Sequence, residues 1–467
     1  FKKNLIIYFL ILLIFGFTFY IFINIFFANL KLNKINFISY EKKQLIKNLI
    51  FPYRTISQQK QVIAQQTQTI AQQKEILNLY NLNSELTKKK EGSEIKTEES
   101  IVKLSNTKIL KKYKLVSGFN YGISNTLVGS GYIDFYEENI IVLSSRGVLA
   151  FKKNIENTKE NFLQIKNNIN EFIDIDQFKK DRWFSLKDMF IFNNKIFISY
   201  TDEINEDCWN TSVIYGDMNY ENIEFKKLFS PPSKECIHSI LNIDKEFNAH
   251  QSGGKIISFD DNHILMSIGE YRSRHLAQDI KSINGKIIKI NINNGNHEII
   301  SMGHRNPQGL YFDRENNFIL ETEHGPVGGD EINLIEVEKI YENKIQNYGW
   351  PIASYGEHIN GKNESTKSKY LKYPFHKSHS KYGFIEPLKT FSPAIAPSRI
   401  TKINQNRYVF ATLRDKSIYF FLLNDQKQIV NLERVEVSER VRDIKFNDNK
   451  LYLFMESTAS IGVLNLN

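Results

Sequence analysis

The stretch GLYFDRENNFILETE, residues 309–323, contains an apolar strand, a turn that carries Asn317, and a second, more strongly apolar strand. Asn at such a turn suits a hairpin whose backbone needs positive φ. The same unit occurs five more times after about residue 110. The other copies are YIDFYEENIIVLSS (132–145), MFIFNNKIFISY (189–200), IISFDDNHILMSIG (256–269), ITKINQNRYVFATL (400–413) and DIKFNDNKLYLFME (443–456), with turn residues Asn139, Asn194, Asn262, Asn406 and Asn449.

Six similar hairpins predict an all-β fold in which one small sheet is repeated radially, namely a six-bladed β-propeller. Helical periodicity is nearly absent between the hairpins. The alternative is a β-sandwich or barrel in which the repeats are coincidental. In a propeller, loops from several blades meet at a central polar funnel, so functional residues are expected there.

The composition limits the classes of function. The chain has 467 residues, of which 41% are hydrophobic and 13% aromatic, so it can form a large core. The net charge of +9 is spread along the chain without a basic helix or an aromatic-basic array, which argues against nucleic-acid binding. The only two cysteines, Cys208 and Cys236, are compatible with one disulfide or with two buried thiols.

An uncharged, apolar run covers residues 5–29. It exceeds the roughly 20 residues that a helix needs to cross a bilayer, and no good small-residue cleavage site follows it. We therefore predict an uncleaved transmembrane signal anchor over residues 1–30. The lysines that follow the run favour a cytoplasmic C-terminal side, but long domains cross membranes largely regardless of such charge.

The next segment has a seven-residue repeat. Ile56, Ile63, Ile70 and Leu77 lie seven positions apart, which is the spacing of a coiled-coil seam. We predict a helical stalk that forms a homo-oligomer, with a lone solvated helix as the alternative. From about residue 82 the composition is typical of a flexible tether, so the predicted domains are 31–106 for stalk and tether and 107–467 for the propeller.

Several polar segments lie where strands end. His250 precedes a Gly-Gly pair in AHQSGGKI, and Arg414 ends the fifth hairpin. Arg440 and Arg442 precede the sixth hairpin, where strand alternation places both on one face. Facing a funnel, two arginines would bind an anion such as a carboxylate. The alternative for each residue is ordinary surface or turn structure.

Three motifs resemble those of the soluble quinoprotein sugar dehydrogenases, the glucose/sorbosone and aldose sugar dehydrogenase family. They are GHRNPQGL (303–310), ETEHGPVGGDEINLI (321–335) and NYGWP (347–351), and the resemblance runs from about residue 185 to 460. It implies a six-bladed propeller that uses pyrroloquinoline quinone (PQQ) and Ca²⁺ to oxidise an aldose at its anomeric carbon. It also implies a location outside the cytoplasm, here a single-pass inner-membrane protein whose propeller faces the periplasm.

The resemblance also implies roles for individual residues. His250 corresponds to the general base that takes the proton of the sugar hydroxyl, and Arg305 to a residue that stabilises charge on the quinone. The other quinone contacts that it implies are Asn306, Gln308, Arg414, Arg440 and Arg442. The calcium ligands that it implies are Gly325, Pro326, Glu331 and Tyr348.

Two other functions remain open at this stage. One is a binding module for a sugar or envelope glycan that has lost the cofactor, because a glutamine of the family is absent from residues 182–186 and Ala394 replaces a polar or aromatic cofactor contact. The other is a calcium-dependent propeller hydrolase, which shares only the architecture. The GHRNPQG segment argues against the hydrolase.

Overall fold

The computed structural model describes these parts of the chain: residues 12–19, 60, 63–64, 66–67, 94–104, 108–115, 129–180, 184–359 and 367–466. The chain divides into two compact units, Phe1–Leu77 and Asn78–Asn467. Within the second unit, each of the six hairpins forms the first two strands of a separate sheet. The predicted all-β, six-bladed propeller is therefore confirmed.

Each blade is built outward from an inner strand by antiparallel pairing. The inner strands are Gly131–Tyr136, Leu186–Phe192, Gly253–Asp260, Pro307–Asp313, Pro397–Asn404 and Val441–Asn447. The second strands are Asn139–Ser144, Lys195–Asn205, His263–Ile268, Phe318–Glu323, Arg407–Thr412 and Lys450–Met455. The third strands are Leu149–Lys152, Cys208–Asp217, Lys286–Asn291, Asp330–Glu336, Ser417–Leu423 and Ser460–Asn465. The fourth strands are Phe162–Gln164, Lys226–Phe229, His297–Met302, Lys389–Phe391, Ile429–Glu436 and Ile109–Leu115.

Shorter elements connect or extend the blades. The remaining strands are Glu94–Ile95, Thr97–Lys103, Lys166–Asn167, Asn222–Ile223, Ile237–His238 and Gln346–Asn347. The α-helices are Ile175–Lys180, Val337–Tyr341 and Lys367–Lys372, and residues 12–19 are also helical. The 3₁₀ helices are Ile169–Glu171, Ser233–Glu235, Ala249–Gln251, Arg274–Gln278 and Ser380–Tyr382.

The ring closes at blade six, which both ends of the propeller build together. Its first three strands come from the C-terminal part of the chain, and Ile109–Leu115 and Thr97–Lys103 complete it. Directly before them, Glu94–Ile95 pairs with the outer strand of blade one. The segment from residue 94 to 115 therefore joins blade six to blade one.

The predicted domain boundary at residue 107 assigns two propeller strands to the tether, because Glu94–Ile95 and Thr97–Lys103 both pair with strands of the blades. Thr97–Lys103 is the outermost strand of its blade, and five of its seven residues are exposed. A strand that pairs on one side and faces solvent carries polar side chains, so its composition resembles that of a tether.

Within the described residues, six apolar clusters lie between neighbouring blades, one for each pair, and a seventh, small cluster is formed by Ala277, Trp350, Tyr373 and Phe375. Successive strand residues point to opposite faces of a sheet, and both faces of each blade are covered. Ile256 thus packs toward blade two, whereas the adjacent Ile257 packs toward blade four. This double burial explains why the strands read as nearly continuous apolar runs.

Aspartates link the inner strands of neighbouring blades. The carboxylates of Asp134, Asp188 and Asp443 each accept a hydrogen bond from a backbone N–H of the next inner strand, at 2.8–3.0 Å. Lys255 donates to Asp188 at 2.6 Å, and Arg399 donates to Asp443 at 3.1 Å. Because these four side chains come from blades two, three, five and six, a buried ion network connects the inner strands around the axis.

The structure confirms the hairpin turns, but only some of the turn asparagines have the predicted positive φ. Positive φ occurs at Asn194, Asn317 and Asn449. In the first hairpin it occurs at Glu137, and Asn139 is instead the first residue of the second strand. Asn262 and Asn406 do not have positive φ. The backbone N–H of Asn262 donates to Asp260, so a side-chain acceptor shapes that turn.

Of the two alternatives for the cysteines, the structure shows the disulfide, which joins Cys208 and Cys236. Within the described residues, no helix combines the length and the apolar character needed to cross a membrane. Most of the predicted anchor (5–29), nearly all of the heptad repeat (56–80) and the tether before residue 94 lie outside the described residues.

Candidate active site

His250 lies on the 3₁₀ helix Ala249–Gln251, immediately before the inner strand of blade three. Asn248 caps this helix, and its Oδ1 atom accepts from the backbone N–H of His250 at 3.1 Å. The same oxygen contacts Nδ1 of the imidazole. Because an amide oxygen can only accept, Nδ1 carries the proton and Nε2 carries the lone pair. The imidazole is thus held in the tautomer that a base at Nε2 requires.

Arg305 lies where blade four begins, and its guanidinium contacts several segments. Nη1 donates to the carbonyl oxygens of His324 at 2.9 Å and Gly325 at 2.7 Å. Nη2 donates to the side-chain oxygen of Gln251 at 2.9 Å when that amide is oriented to satisfy its neighbours. Its guanidinium also lies 5.4 Å from the ring centre of Trp350. Arg305 therefore connects the His250 segment to the loop after blade four's second strand.

A continuous set of contacts leads from Arg305 to the arginines of blade six. Nδ2 of Asn306 lies 3.2 Å from Nδ1 of His324, and Gln308 donates to Asn306 at 3.0 Å. Nη1 of Arg442 lies 3.4 Å from Oε1 of Gln308. Blades three, four and six thus bring most of the predicted site residues together.

Glu456 binds both arginines of blade six. Its carboxylate accepts from Arg440 at 2.5 Å and from Arg442 at 2.8 Å. Arg414 differs from them: its side chain is exposed, and its backbone N–H donates to Ile395. Of the predicted basic residues, Arg440 and Arg442 belong to the connected site, whereas the exposed Arg414 side chain forms no hydrogen bond or ion pair with it among the described residues.

The site is electrostatically positive, and its histidines respond to that charge. Burial lowers the pKa of His250 well below 6.5, and the nearby Arg305 and Arg272 lower it further. Burial and the same Arg305 lower the pKa of His324 to about 3. Both imidazoles are therefore neutral near pH 7. The carboxyl of Glu270 is buried beside this group, and burial raises its pKa to about 7.

The HGPVGGDE loop is fixed by Asp330. One carboxylate oxygen accepts from the backbone N–H of Gly325 at 2.8 Å, and the other accepts from Ile395 at 2.7 Å and Ala396 at 2.6 Å. Gly329 has φ of +67°, and a Cβ there would lie 2.2 Å from the backbone nitrogen of Gly356. The loop therefore requires glycine at this position.

The carbonyls of this loop fit a calcium ion only in part. The Gly325 carbonyl already accepts from Arg305, but a carbonyl oxygen has two lone pairs. Within the described residues, the Pro326 carbonyl accepts none of the hydrogen bonds found. Two adjacent carbonyl oxygens are ligands that suit calcium, so a metal at Gly325 and Pro326 remains compatible with the loop.

Glu331 and Tyr348, the other predicted calcium ligands, do not fit a shared ion as they stand. Nδ1 of His379 lies 2.7 Å from the Tyr348 carbonyl oxygen, and Nε2 of the same ring lies 3.5 Å from the Glu331 carboxylate. The Tyr348 hydroxyl donates to Leu334 at 2.6 Å. The imidazole therefore occupies the space between the two ligands, and a calcium ion bound by both would have to displace it.

The sequence did not single out several residues that complete the site. Gln251 follows His250 directly, and Glu270 and Arg272 lie in the loop after blade three's second strand. The hairpin repeat pointed to this loop, because loops of successive blades meet at the funnel. Arg272 also has φ of +66°, which is uncommon for a side chain of its size. Backbone conformation of this kind is not visible in the sequence.

The sequence model of the glucose/sorbosone dehydrogenase family matches residues 184–463, which is more than half of the chain. An uncharacterised protein of Synechocystis is 32% identical over 223 residues, which cover 41% of this chain and 50% of that protein. The aldose sugar dehydrogenase of Escherichia coli is 25% identical over 297 residues, which cover 58% of this chain and 72% of that enzyme.

Among solved structures, the apo form of the soluble aldose sugar dehydrogenase from Escherichia coli superposes with a TM-score of 0.56. The match has 19% sequence identity and covers 72% of this chain and 95% of that chain. A glucose dehydrogenase structure gives a TM-score of 0.55 at 20% identity, with the same coverage. At these identities, the structural similarity supports the fold alone.

Proposed function

Because the chain belongs to the glucose/sorbosone dehydrogenase family, we propose that it oxidises an aldose at the anomeric carbon with PQQ as hydride acceptor. The observation that carries this proposal is the connected group of Arg305, Arg442 and Gln251, the residue next to His250, which come from three blades. A dehydrogenase of this class needs a base at the sugar hydroxyl and positive charge around an anionic quinone. The site offers both within one partly buried environment that contains several arginines.

His250 is the proposed base. Its Nδ1 proton is directed to Asn248, so Nε2 can accept the proton of the anomeric hydroxyl. The depressed pKa keeps the imidazole neutral near pH 7, and a neutral imidazole is the form that accepts a proton. Arg305 lies close enough to influence that pKa, and it would stabilise negative charge that develops on an acceptor next to it.

The residues present fit an anionic quinone. PQQ carries carboxylates and, when bound, supplies the oxidising group that takes the hydride from the sugar. Arg440 and Arg442 would hold those carboxylates, and Asn306 and Gln308 would orient the ring through their amides. Gly325 and Pro326 would hold the calcium ion that polarises the quinone oxygen. These roles follow from the charge of the arginines, the amides of Asn306 and Gln308 and the carbonyl oxygens of Gly325 and Pro326.

The full-length protein, purified in detergent, tests the proposal. It is titrated with PQQ by calorimetry in the presence of Ca²⁺, and dye reduction is then measured with several aldoses. We expect saturable PQQ binding and aldose-dependent dye reduction that is lost in His250→Ala. Absence of PQQ binding would refute the proposed cofactor. Sugar binding without quinone that also survives His250→Ala would indicate the alternative, a binding module.

We also propose that residues 1–30 anchor the protein in the inner membrane, with the propeller in the periplasm and the heptad segment forming an oligomer. The uncharged run of residues 5–29 supports the anchor. Protease added to intact spheroplasts reaches only the outer face of the inner membrane. It should therefore digest the propeller. Crosslinking of the detergent-purified chain, compared with a variant that lacks residues 56–80, tests the oligomer.

A further inference from the structure

Three carboxylates of blade four converge on one amide. Nδ2 of Asn333 lies 3.0 Å from Oε2 of Glu321, 3.1 Å from Oε1 of Glu323 and 3.3 Å from Oε2 of Glu331. Alternate residues of neighbouring strands share one face of a sheet, which is why these side chains meet. Glu321 and Asn333 have no solvent exposure, and Glu323 and Glu331 are also buried.

The cluster lacks the charge and the hydrogen bonds that would neutralise it. None of the ion pairs found in the described residues joins its carboxylates to Lys or Arg, and the histidines His304 and His379 are their only basic partners. An amide nitrogen has two hydrogens and cannot satisfy three carboxylates. Oε1 of Glu321 and Oδ1 of Asn333 have no hydrogen-bond partner within the described structure. Burying carboxylates in this way is costly unless a cation or protons compensate.

His304 adds a nitrogen to the same place. Its Nε2 atom lies 2.9 Å from the Ser301 hydroxyl, and its Nδ1 atom lies 3.4 Å from Oε1 of Glu323. The ring also stacks on Tyr348, with 4.8 Å between ring centres. If the Ser301 hydroxyl accepts the Nε2 proton, the Nδ1 lone pair points toward the carboxylates. The serine thus acts as the outer partner that orients a ligating imidazole.

We propose that blade four binds a divalent transition-metal ion through His304, Glu321 and Glu323. The potential ligand atoms of these three residues all lie within 4.8 Å of one another. An ion with bonds of about 2.0–2.2 Å holds its ligand atoms at most about 4.4 Å apart, so its binding would draw these side chains together by a few tenths of an ångström. Asn333 is the fourth ligand, because turning its amide over replaces the nitrogen by the unpartnered oxygen. The ion would then contact Oε1 of Glu321 and Oδ1 of Asn333, the two atoms of the cluster that lack a hydrogen-bond partner within the described structure.

The ligand chemistry selects the class of metal. One imidazole nitrogen with carboxylate oxygens suits Zn²⁺ or Mn²⁺, whereas Ca²⁺ prefers an all-oxygen shell. The site is separate from the funnel. Oε2 of Glu323 accepts from the backbone N–H of Arg305 at 2.6 Å, so the ion would lie behind Arg305 and support the strand end that carries it. The ion would have a structural role in addition to the proposed dehydrogenase activity, and its binding would not require PQQ.

Metal content of the full-length protein tests the proposal without an activity assay. The detergent-purified protein is treated with chelator, loaded separately with Zn²⁺, Mn²⁺ or Ca²⁺, freed of excess metal and measured by mass spectrometry. Glu321→Gln removes a ligand charge at nearly constant volume. Asp313→Asn is the matched control, because Asp313 is also buried in blade four but is partnered by Tyr408 and Lys402.

We expect about one equivalent of Zn²⁺ or Mn²⁺ per native chain, at least tenfold weaker binding in Glu321→Gln, and unchanged binding in Asp313→Asn. The melting temperature of the native protein should rise with metal, whereas that of Glu321→Gln should not. Failure of the native chain to bind either ion would overturn the proposal and leave protons as the compensating charge. Equal retention in Glu321→Gln would also overturn it, as would binding of calcium alone. If Glu321→Gln does not fold, the metal-dependent melting of the native chain decides the question.

Discussion

Nη1 of Arg305 lies 2.7 Å from the carbonyl oxygen of Gly325, so a residue predicted to contact the quinone is bonded to a residue predicted to hold calcium. The two predicted functions are thus joined through one guanidinium. Arg305→Lys keeps the charge but loses the planar set of donors that reaches His324, Gly325 and Gln251. We expect kcat to fall at least tenfold.

Hydrogen exchange provides the structural readout for Arg305→Lys. The loop around Gly325 should exchange faster than in the native protein, because one of its carbonyls loses a donor. Arg314→Lys, a substitution in the hairpin turn of the same blade, is the control. Unchanged kcat in Arg305→Lys would show that charge alone is sufficient at this position.

His250→Ala should reduce aldose oxidation by about 10²–10⁴, the usual contribution of a positioned base. PQQ affinity should change little, because the proposed quinone contacts lie on other residues. His263→Ala is a matched control, since this second histidine of blade three lies at the hairpin turn, where it contacts Asp260. Steady-state rates and a PQQ titration on both variants separate catalysis from binding.

Arg442→Gln should weaken PQQ binding by at least tenfold and reduce its dependence on salt. Arg442 is largely shielded from solvent and connected to Gln308 through its guanidinium, whereas the Arg414 side chain is exposed. Arg414→Gln should therefore have a smaller effect, although the family resemblance gave both residues the same role. Calorimetric titration at two salt concentrations measures the difference. Equal losses in the two variants would contradict the structural distinction.

Glu270 should make stability depend on pH. Its folded pKa of about 7 lies above the ordinary value of 4.5, mainly because of burial. Its contribution to stability is therefore complete below pH 4.5 and is lost as pH rises toward and through 7. Glu270→Gln should gain stability relative to the native protein between pH 5 and pH 8, by up to about 3 kcal/mol. Denaturant unfolding at both pH values measures this, with Glu336→Gln as an exposed control.

Reduction of the disulfide should destabilise the propeller. Cys208 and Cys236 close a loop with a sequence separation of 28, for which chain entropy predicts about 3–4 kcal/mol. The double variant Cys208→Ser/Cys236→Ser should unfold at lower denaturant and lose its sensitivity to reducing agent. A native protein that is equally stable with and without reductant would contradict this expectation.

The fold could be predicted because its signal is local and repeated six times. Each hairpin carries its own strand pattern, and double burial makes that pattern strongly apolar, as at Ile256 and Ile257. The outermost strand Thr97–Lys103 could not be recognised, because its polar sequence reflects solvent on its exposed side. Its pairing partner, Ile109–Leu115, joins the C-terminal strand Ser460–Asn465, and sequence proximity gives no information about that contact.

The site could be predicted where motif and position coincided. Arg305, Asn306, Gln308 and Arg442, which the resemblance singled out, lie in one contact network with Gln251, the neighbour of His250. The position of His379 between Glu331 and Tyr348 was not predictable, because it depends on how a distant loop folds back. The buried cluster around Asn333 also escaped notice, since a glutamate in a strand gives no sign of whether it faces solvent or the core.

The segment from residue 94 to 115 has a consequence for the covalent structure of the ring. It pairs with blade one through Glu94–Ile95 and with the C-terminal strand through Ile109–Leu115. These pairings consist of hydrogen bonds and apolar contacts made by residues that lie before the interval between residues 115 and 129 and by their strand partners beyond it. A single backbone cut in that interval would therefore leave a closed propeller of two associated fragments, and the smaller fragment could be supplied in trans to a chain that lacks it.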